Sequence, residues 1–265
     1  MFVNSKKIAN LLQEIAPVDL AEDWDNVGFQ VGNINLEIDR VLIALEVTPE
    51  VVKEAKKKNI DLIVTHHPLI FKGLKKLTSD NNISEMVIDL IKSNIHLYVS
   101  HTNMDIANKG LNNYLANLLD LKRIKQLSDE NGEMSLGVAG YLNSPLKIDK
   151  LSQKVKNVLD IKTLKIVKSN DKKIRKVGIC TGAGSDLIRK MKKNGCRCFI
   201  TGDIKYHEAQ MAKMLDLNII DGGHFHTEKI FIDFISEYLN ERIQKKGYDV
   251  KIIKSDIDIN PFKYN

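Results

Sequence analysis

The sequence predicts an α/β protein made of two interlinked α/β domains with mainly parallel sheets. Short β-branched runs alternate with longer amphipathic patterns along the 265 residues, as expected for strands joined by crossover helices. Apolar residues make up 43% and charged residues 28% of the chain, which is ordinary for a soluble globular protein.

Six runs are predicted as strands because each is rich in β-branched residues. In chain order they are RVLIALEV (40–47), DLIVT (61–65), IHLYVS (95–100), KVGIC (176–180), RCFIT (197–201) and LNIID (217–221). Helical patterns lie between them, and the first has Thr48 as its N-cap and Pro49 at its first position. The later patterns are NISEMVIDLIKSN, GLNNYLANLLDL, GSDLIRKMKKNG, YHEAQMAKMLD and HTEKIFIDFISEYLNERIQKKG.

The domain boundaries are predicted from a change in composition. Residues 128–148 are richer in Gly, Ser and Asn and are expected to begin the second α/β unit. The last helical pattern carries apolar residues on one face, so we expect it to return to the first unit. The predicted domains are 1–127 with 228–265, and 128–227.

Composition and local sequence also bear on the class of protein. No apolar run approaches the roughly 20 residues of a membrane span, and we expect a cytoplasmic protein. The three cysteines form no CxxC pair, which argues against a disulfide framework or a thiolate zinc site. A net charge of +6 admits DNA binding, but the lysines are interleaved with 34 acidic residues, so a solvated lysine-rich surface is the favoured interpretation.

The histidines follow a positional rule. Parallel α/β sheets place their sites beyond the carboxyl ends of strands, and six of the seven histidines come just after a predicted strand. His66 and His67 end the run at 61–65, where Pro68 favours extended backbone at His67. His96 instead opens a strand and is interpreted as structural.

Three further residues complete a candidate donor set. Asp105 follows the run at 95–100, and His224 and Glu228 are four apart, so on a helix they share a face. Simpler interpretations stay open: Asp105 as a helix cap, the second pair as ordinary surface, and the doublet as one core and one surface imidazole. Nitrogen and oxygen donors of this kind bind Zn, Mn, Fe, Co or Ni. Five donors exceed what one catalytic metal needs and suit two ions.

Two other stretches have two interpretations each. CTGAGSDLI (180–188) is a strand, a glycine turn and a helix start, whose amides either hold a phosphate or form an ordinary turn. EDWDNVG (22–28), with Trp24 and Asn26, either walls a substrate pocket or packs internally.

Six motifs in order resemble the Nif-three-like dinuclear-metal-centre family, whose members are called GTP cyclohydrolase I type 2 homologs. They are EDWDNVGFQVG, ALEVTPEVV, VTHHPLIF, SHTNMD, TGDIKYHEA and GGHFHTE, which together span residues 22 to 228. The resemblance implies that two divalent metal ions bind His66, His67, Asp105, His224 and Glu228. It also implies that His101 orients a ligand and that the chain assembles as a homohexamer.

The predicted function is metal-dependent hydrolysis at a dinuclear site. By the same resemblance the substrate is GTP-like: hydroxide would add to C8 of the purine, open the imidazole ring and release formate. His207 is the candidate for proton transfer, with a helix-surface histidine as the alternative. Two other functions stay open, a metal-handling or regulatory protein without turnover and a DNA-associated scaffold.

Overall fold

The structure is a computed structural model that describes residues 3–128, 132 and 134–263. In chain order its helices and strands are α1 (Ser5–Ile15), β1 (Gly28–Val31), β2 (Arg40–Ala44), α2 (Pro49–Lys57), β3 (Leu62–Thr65), α3 (Asn82–Lys92), β4 (His96–Val99), α4 (Thr102–Ile106), α5 (Leu111–Leu118), β5 (Lys122–Ser128), β6 (Met134–Leu146), α6 (Ile148–Leu159), β7 (Lys165–Val167), β8 (Ile174–Ala183), α7 (Ile188–Lys193), β9 (Cys198–Gly202), α8 (Tyr206–Met214), β10 (Asn218–Asp221), α9 (His224–Glu228), α10 (Ile230–Lys246) and β11 (Lys251–Lys254). No helix in this described part of the chain has the length and apolar character of a membrane span.

The chain divides into two compact units, Met1–Ala107 with Phe231–Asn265, and Asn108–Ile230. The predicted boundaries, after 127 and after 227, differ from these. The first boundary lies earlier because α5 packs on β8 and because β5 pairs with β6. Within the stretch at 128–148 that was predicted to begin the second unit, residues 129–131 and 133 lie outside the described residues.

The first unit contains a five-stranded sheet in the order β1-β4-β3-β2-β11. Strands β4, β3, β2 and β11 are parallel neighbours, and β1 is antiparallel at one edge. All four residues of β3 are buried, as expected for a parallel strand covered on both faces. The predicted cap is present, since the amide of Val51 donates to Thr48 Oγ1 with Pro49 at the start of α2.

Helix α10 returns to the first unit through its apolar face. Phe231, Ile235 and Leu239 are fully buried. The Tyr238 hydroxyl donates to the carbonyl of Leu11 on α1 at 2.9 Å, and Arg242 forms an ion pair with Glu14. Each large apolar side chain buried here contributes about 1.5–3 kcal/mol to stability, so apolar contacts are the main stabilising force on this helix.

The second unit contains a six-stranded sheet in the order β5-β6-β8-β9-β10-β7. Only β8-β9 and β9-β10 are parallel, while the other three pairs are antiparallel. The α/β class is confirmed, but this sheet is mixed rather than mainly parallel. Only residues 129–133 separate β5 from β6, too few for the crossover that a parallel pair requires.

His96 is a structural residue of the first unit. It is 2% exposed, and its Nδ1 lies 2.6 Å from the Ser5 hydroxyl at the start of α1. A Cβ on Gly32 would lie 2.6 Å from the ring, so the backbone of Gly32 closes over the imidazole. Burial lowers the pKa of His96 below its usual value, against an opposing effect of the Asp61 carboxylate.

His96 should therefore make stability depend on pH. Folding keeps its imidazole neutral, whereas the unfolded chain takes up a proton as the pH falls through about 6.5. The unfolded state then binds more protons, so we expect the unfolding free energy to fall below that pH, by at most about 1.4 kcal/mol per pH unit from this residue. Urea unfolding of metal-free protein between pH 5 and 8 measures it. His96→Gln should flatten the slope, and an unchanged slope in that variant would show that His96 does not cause it.

Candidate metal centre

The histidine doublet lies where β3 ends. The amides of His66 and His67 both donate to the carbonyl of Leu45, at 3.1 and 2.9 Å, and the Thr65 hydroxyl donates to the His67 carbonyl. Because both amides bond to the same carbonyl, the extended backbone of β3 ends here. Neighbouring side chains then no longer point to opposite faces of the sheet. The two imidazole rings therefore lie together, with centroids 5.3 Å apart.

His66 is held in one tautomer by its backbone acceptor. The ring is fully buried and its Nδ1 lies 2.9 Å from the carbonyl oxygen of Ser100, just after β4. A carbonyl can only accept, so Nδ1 carries the proton and Nε2 keeps its lone pair. Nε2 faces Asp105 Oδ2 at 3.6 Å. Metal-binding imidazoles are commonly arranged in this way, with the other ring N–H donating to an oxygen acceptor.

Two further imidazoles of the first unit are oriented by carboxylates. His67 Nδ1 lies 3.3 Å from Glu46 Oε2, and His101 Nδ1 lies 2.9 Å from Asp25 Oδ1. The ligand atoms of His66, His67 and His101, which we call the imidazole cluster, all lie within 4.8 Å of one another. Three imidazoles at this spacing can share a cation.

The Asp25 carboxylate holds the His101 ring in its orientation. Its carboxylate is shielded from solvent and accepts hydrogen bonds from His101 Nδ1, from the Thr102 amide at 3.0 Å and from the Thr102 hydroxyl at 2.5 Å. Burial alone would raise the pKa of Asp25, but the hydrogen bonds from His101 and Thr102 outweigh it and lower the pKa to about 2. Asp25 is therefore ionised at neutral pH and fixes the His101 ring.

Asp105 lies inside α4 rather than at its N-cap. The N-cap is His101, which makes no side-chain capping bond, and the amide of Asp105 donates to the His101 carbonyl at 3.2 Å. Asp105 is 6% exposed and faces His66. The helix that follows, α5, has Gly110 as its N-cap, so Asp105 caps neither helix, and its carboxylate faces the His66 ring.

The second unit contributes a histidine and a carboxylate on α9. His224 Nε2 lies 3.0 Å from Glu228 Oε2, one helical turn away, and His224 Nδ1 lies 2.8 Å from Asp203 Oδ2. Gly223, with φ of 78°, turns the chain from β10 into the helix. We call His224 and Glu228 the α9 pair. As in the imidazole cluster, an oxygen acceptor holds Nδ1 and directs Nε2 to the donor position.

Gly182 leaves the space that Glu228 occupies. Its φ is +64°, and a Cβ at this position would lie 2.0 Å from Glu228 Oε1 and 3.3 Å from His224 Nε2. Its amide donates to the Thr227 hydroxyl, and the amide of Thr181 donates to Asn112 Oδ1. These two amides are used within the protein, which favours the ordinary-turn interpretation of residues 180–188 over a phosphate cradle.

The other two histidines of the second unit lie on helices. His207 is exposed as the second residue of α8, with its ring edge against Tyr206 at a centroid distance of 5.3 Å. His226 is partly buried within α9 and contacts the Phe225 ring. The role of His207 in proton transfer stays a prediction.

Four residues of this arrangement were not singled out from the sequence: Asp25, Glu46, Asp203 and Gly182. Asp203 comes just after β9, so the rule that located the histidines would also have located it. Glu46 lies inside the predicted run at 40–47 and is placed beyond the strand only because β2 ends at Ala44. Asp25 lies in an irregular loop and carries no such signal.

Gly182→Ala should weaken binding of divalent metal at the α9 pair, because the new methyl group would displace the Glu228 carboxylate. Gly195→Ala is the matched control, since Gly195 also has positive φ (+76°) but nothing lies within 4 Å of its Cβ position. Both variants strain the backbone by about 1–2 kcal/mol, so thermal unfolding should shift similarly. Calorimetric titration with Zn²⁺ or Mn²⁺ decides: equal affinity in the two variants would contradict a specific role for Gly182.

Comparison with known proteins identifies the family to which the chain belongs. The sequence model of Duf34/NIF3 (NGG1p interacting factor 3) matches residues 3–261. A Clostridium acetobutylicum protein called GTP cyclohydrolase 1 type 2 homolog is 33% identical over 100% of both chains, and a Clostridium perfringens protein of the same name is 36% identical over 97% of this chain and 98% of its own. The crystal structure of a Bacillus cereus protein related to NIF3 has a TM-score of 0.92, 27% identity and full coverage of both chains. Reduced HcgD from Methanocaldococcus jannaschii has a TM-score of 0.81, 30% identity, and coverage of 97% of this chain and 99% of its own. The chain therefore belongs to the Duf34/NIF3 family.

Proposed function

We propose that the protein is a divalent-metal-dependent hydrolase, with two ions bound by His66, His67, Asp105, His224 and Glu228. One observation carries the proposal: four of the six histidines that follow predicted strands have Nδ1 facing a carboxylate or a backbone carbonyl oxygen. The Nδ1 atoms of His66, His67, His101 and His224 face, respectively, the Ser100 carbonyl, Glu46, Asp25 and Asp203. Metal-bound histidines usually donate their other ring N–H to a carboxylate or a backbone carbonyl, as these four are placed to do, whereas Nδ1 of the structural His96 faces the Ser5 hydroxyl.

The donor spacing within each unit fits metal binding. His66 Nε2 and Asp105 Oδ2 are 3.6 Å apart, and His224 Nε2 and Glu228 Oε2 are 3.0 Å apart. Two donors that are each about 2.0–2.2 Å from one ion lie roughly 3–3.5 Å from each other in tetrahedral or octahedral geometry. Imidazole and carboxylate donors suit Zn, Fe, Mn, Co or Ni. The residues therefore fit the two ions that the proposal requires.

The chain's own groups supply orientation and proton transfer. When bound, divalent ions supply Lewis acidity and make water more acidic. His101 is outside the five proposed ligands, and the ionised Asp25 at its Nδ1 stabilises the imidazolium that forms when Nε2 accepts a proton. His101 is thus a second proposed residue for proton transfer, beside the exposed His207.

The substrate class is proposed from the relatives. The clostridial proteins carry the name GTP cyclohydrolase 1 type 2 homolog, and we propose a GTP-like purine nucleotide opened by hydrolysis. The family resemblance supports assembly as a homohexamer, which light scattering of purified protein would test. A metal-handling protein without turnover would use the same donors, so the deciding assay is turnover on a panel of nucleotides after metal has been restored.

Glu228→Gln should remove one ion while the fold survives. The amide keeps the size of the carboxylate but loses its charge and one oxygen donor, so it offsets less of the repulsion between two dications. Metal per chain should fall from two towards one, and hydrolytic activity by orders of magnitude, with circular dichroism unchanged. Glu237→Gln, at an exposed position of α10, is the control and should retain both ions. Two ions held by Glu228→Gln at unchanged affinity would remove Glu228 from the site.

His207→Gln tests the sequence-based assignment of proton transfer. Glutamine preserves polarity but cannot take up a proton, so we expect turnover to fall by about 10²–10⁴ with metal content unchanged. Lys213→Gln, which removes a positive charge from an exposed position on the same helix, should retain wild-type turnover. If His207→Gln is as active as the Lys213 variant, His207 has no part in the reaction.

A further inference from the structure

Two exposed aromatic rings lie side by side next to the imidazole cluster. Trp24 is 56% exposed and Phe71 is 47% exposed, and their ring centroids are 5.8 Å apart. The Trp24 ring also lies edge-on to His101, with centroids 6.2 Å apart. We call Trp24 and Phe71 the aromatic platform.

Hydrogen bonds fix the segments that carry both rings. Asn26 Nδ2 and Gln30 Nε2 donate to the carbonyl of Ile70, at 2.5 and 3.1 Å, and the amide of Ile70 donates back to Gln30 Oε1. These bonds tie the loop of Trp24 to the residue that precedes Phe71. On the other side, the amide of Glu22 donates to the Thr102 hydroxyl. The platform is therefore preorganised, which reduces the entropy cost of binding a ligand.

The size of the platform argues for a small planar ligand. Two rings expose much less than the roughly 800 Å² that each partner buries in a stable protein interface. Trp and Phe faces are the usual stacking surfaces for nucleobases. Three exposed lysines, Lys72, Lys75 and Lys76, lie within the five residues that follow Phe71 in the chain. An aromatic pair beside a basic segment matches a base that carries phosphates.

We propose that the aromatic platform stacks the purine base of the nucleotide substrate beside the imidazole cluster, with Lys72, Lys75 and Lys76 as the basic segment for its phosphates. This assignment rests on the proposed function, because it takes the substrate of that site to be a nucleotide. Trp24 and Phe71 are specificity-determining residues in this account, and they favour a heteroaromatic substrate over a sugar phosphate.

Trp24 is the single tryptophan of the chain, so its fluorescence reports on the platform alone. GTP is titrated into the full-length, metal-loaded protein with excitation at the red edge of tryptophan absorption, where nucleotides do not absorb. Stacking should quench Trp24 in a saturable manner. Ribose 5-phosphate and inorganic triphosphate, which have no base, should not quench it.

Alanine variants measure what stacking contributes. Phe71→Ala keeps the fluorescent probe, and Trp24→Ala is followed by calorimetry. Each should bind GTP about 5- to 150-fold more weakly, the range for loss of one base-stacking side chain. Phe262→Ala removes a comparable exposed ring (66%) from the C-terminal segment and should bind GTP like the wild type.

Three results would overturn the proposal: no GTP binding to the wild type, GTP binding with unchanged affinity in both variants, or a change in the oligomeric mass of either variant. The last would assign the rings to an interface between copies of the chain. Failure of the hydrolase proposal gives a different result. No turnover of any nucleotide by the metal-loaded wild type, with saturable GTP quenching retained, would overturn the hydrolase proposal and leave the platform as a nucleotide-binding site. Equal metal loss in Glu237→Gln would count against the ligand assignment and leave the platform standing.

Discussion

The arrangement of the site depends on hydrogen bonds that hold the imidazoles through Nδ1. A histidine side chain at a strand end can turn about two bonds, and a fixed acceptor at Nδ1 selects one orientation and one tautomer. A hydrogen bond to a buried charged acceptor such as Asp25 contributes about 1.5–3 kcal/mol, whereas bonds to the more exposed Glu46 and Asp203 contribute about 0–1 kcal/mol each. Asp25 is the strongest case, because its low pKa keeps it ionised and His101 and Thr102 both donate to it. These acceptors thus set the direction in which each Nε2 faces, and the proposed function uses Nε2 as the metal donor.

The register of the strands sets the positions of the oxygen acceptors that hold the imidazoles. In the first unit Thr65 of β3 pairs with Val99 of β4, so the residues that follow each strand meet at the same sheet edge. In the second unit Thr201 of β9 pairs with Asp221 of β10, which brings Asp203 and the start of α9 together in the same way. These strands are fully buried, so displacing a donor would require movement in the core. The precision of the donor positions therefore originates in apolar packing.

Much of this arrangement was predicted from the sequence, and the physical reason differs from one residue to the next. The six predicted strands are present because β-branched runs in a parallel sheet are buried on both faces. The histidines that follow them were found because sites in parallel α/β sheets lie beyond the carboxyl ends of the strands. Strand β5 was missed because only Ile124 and Leu127 of its seven residues are apolar, and it lies at a largely exposed sheet edge. Asp25 and Gly182 were missed because their roles come from tertiary contacts: an irregular loop folded against α4, and a positive-φ position facing Glu228.

The proposed function requires that strand-end imidazoles, held through Nδ1, bind two divalent ions through Nε2. Anomalous diffraction from a crystal of the Zn²⁺- or Mn²⁺-loaded protein tests it most directly, because the anomalous signal locates each ion and the density identifies its ligand atoms. We expect two anomalous peaks, about 2.0–2.2 Å from the Nε2 atoms of His66, His67 and His224 and from the carboxylates of Asp105 and Glu228. A single peak, or ions bound through Nδ1 with the oxygen acceptors displaced, would contradict the account.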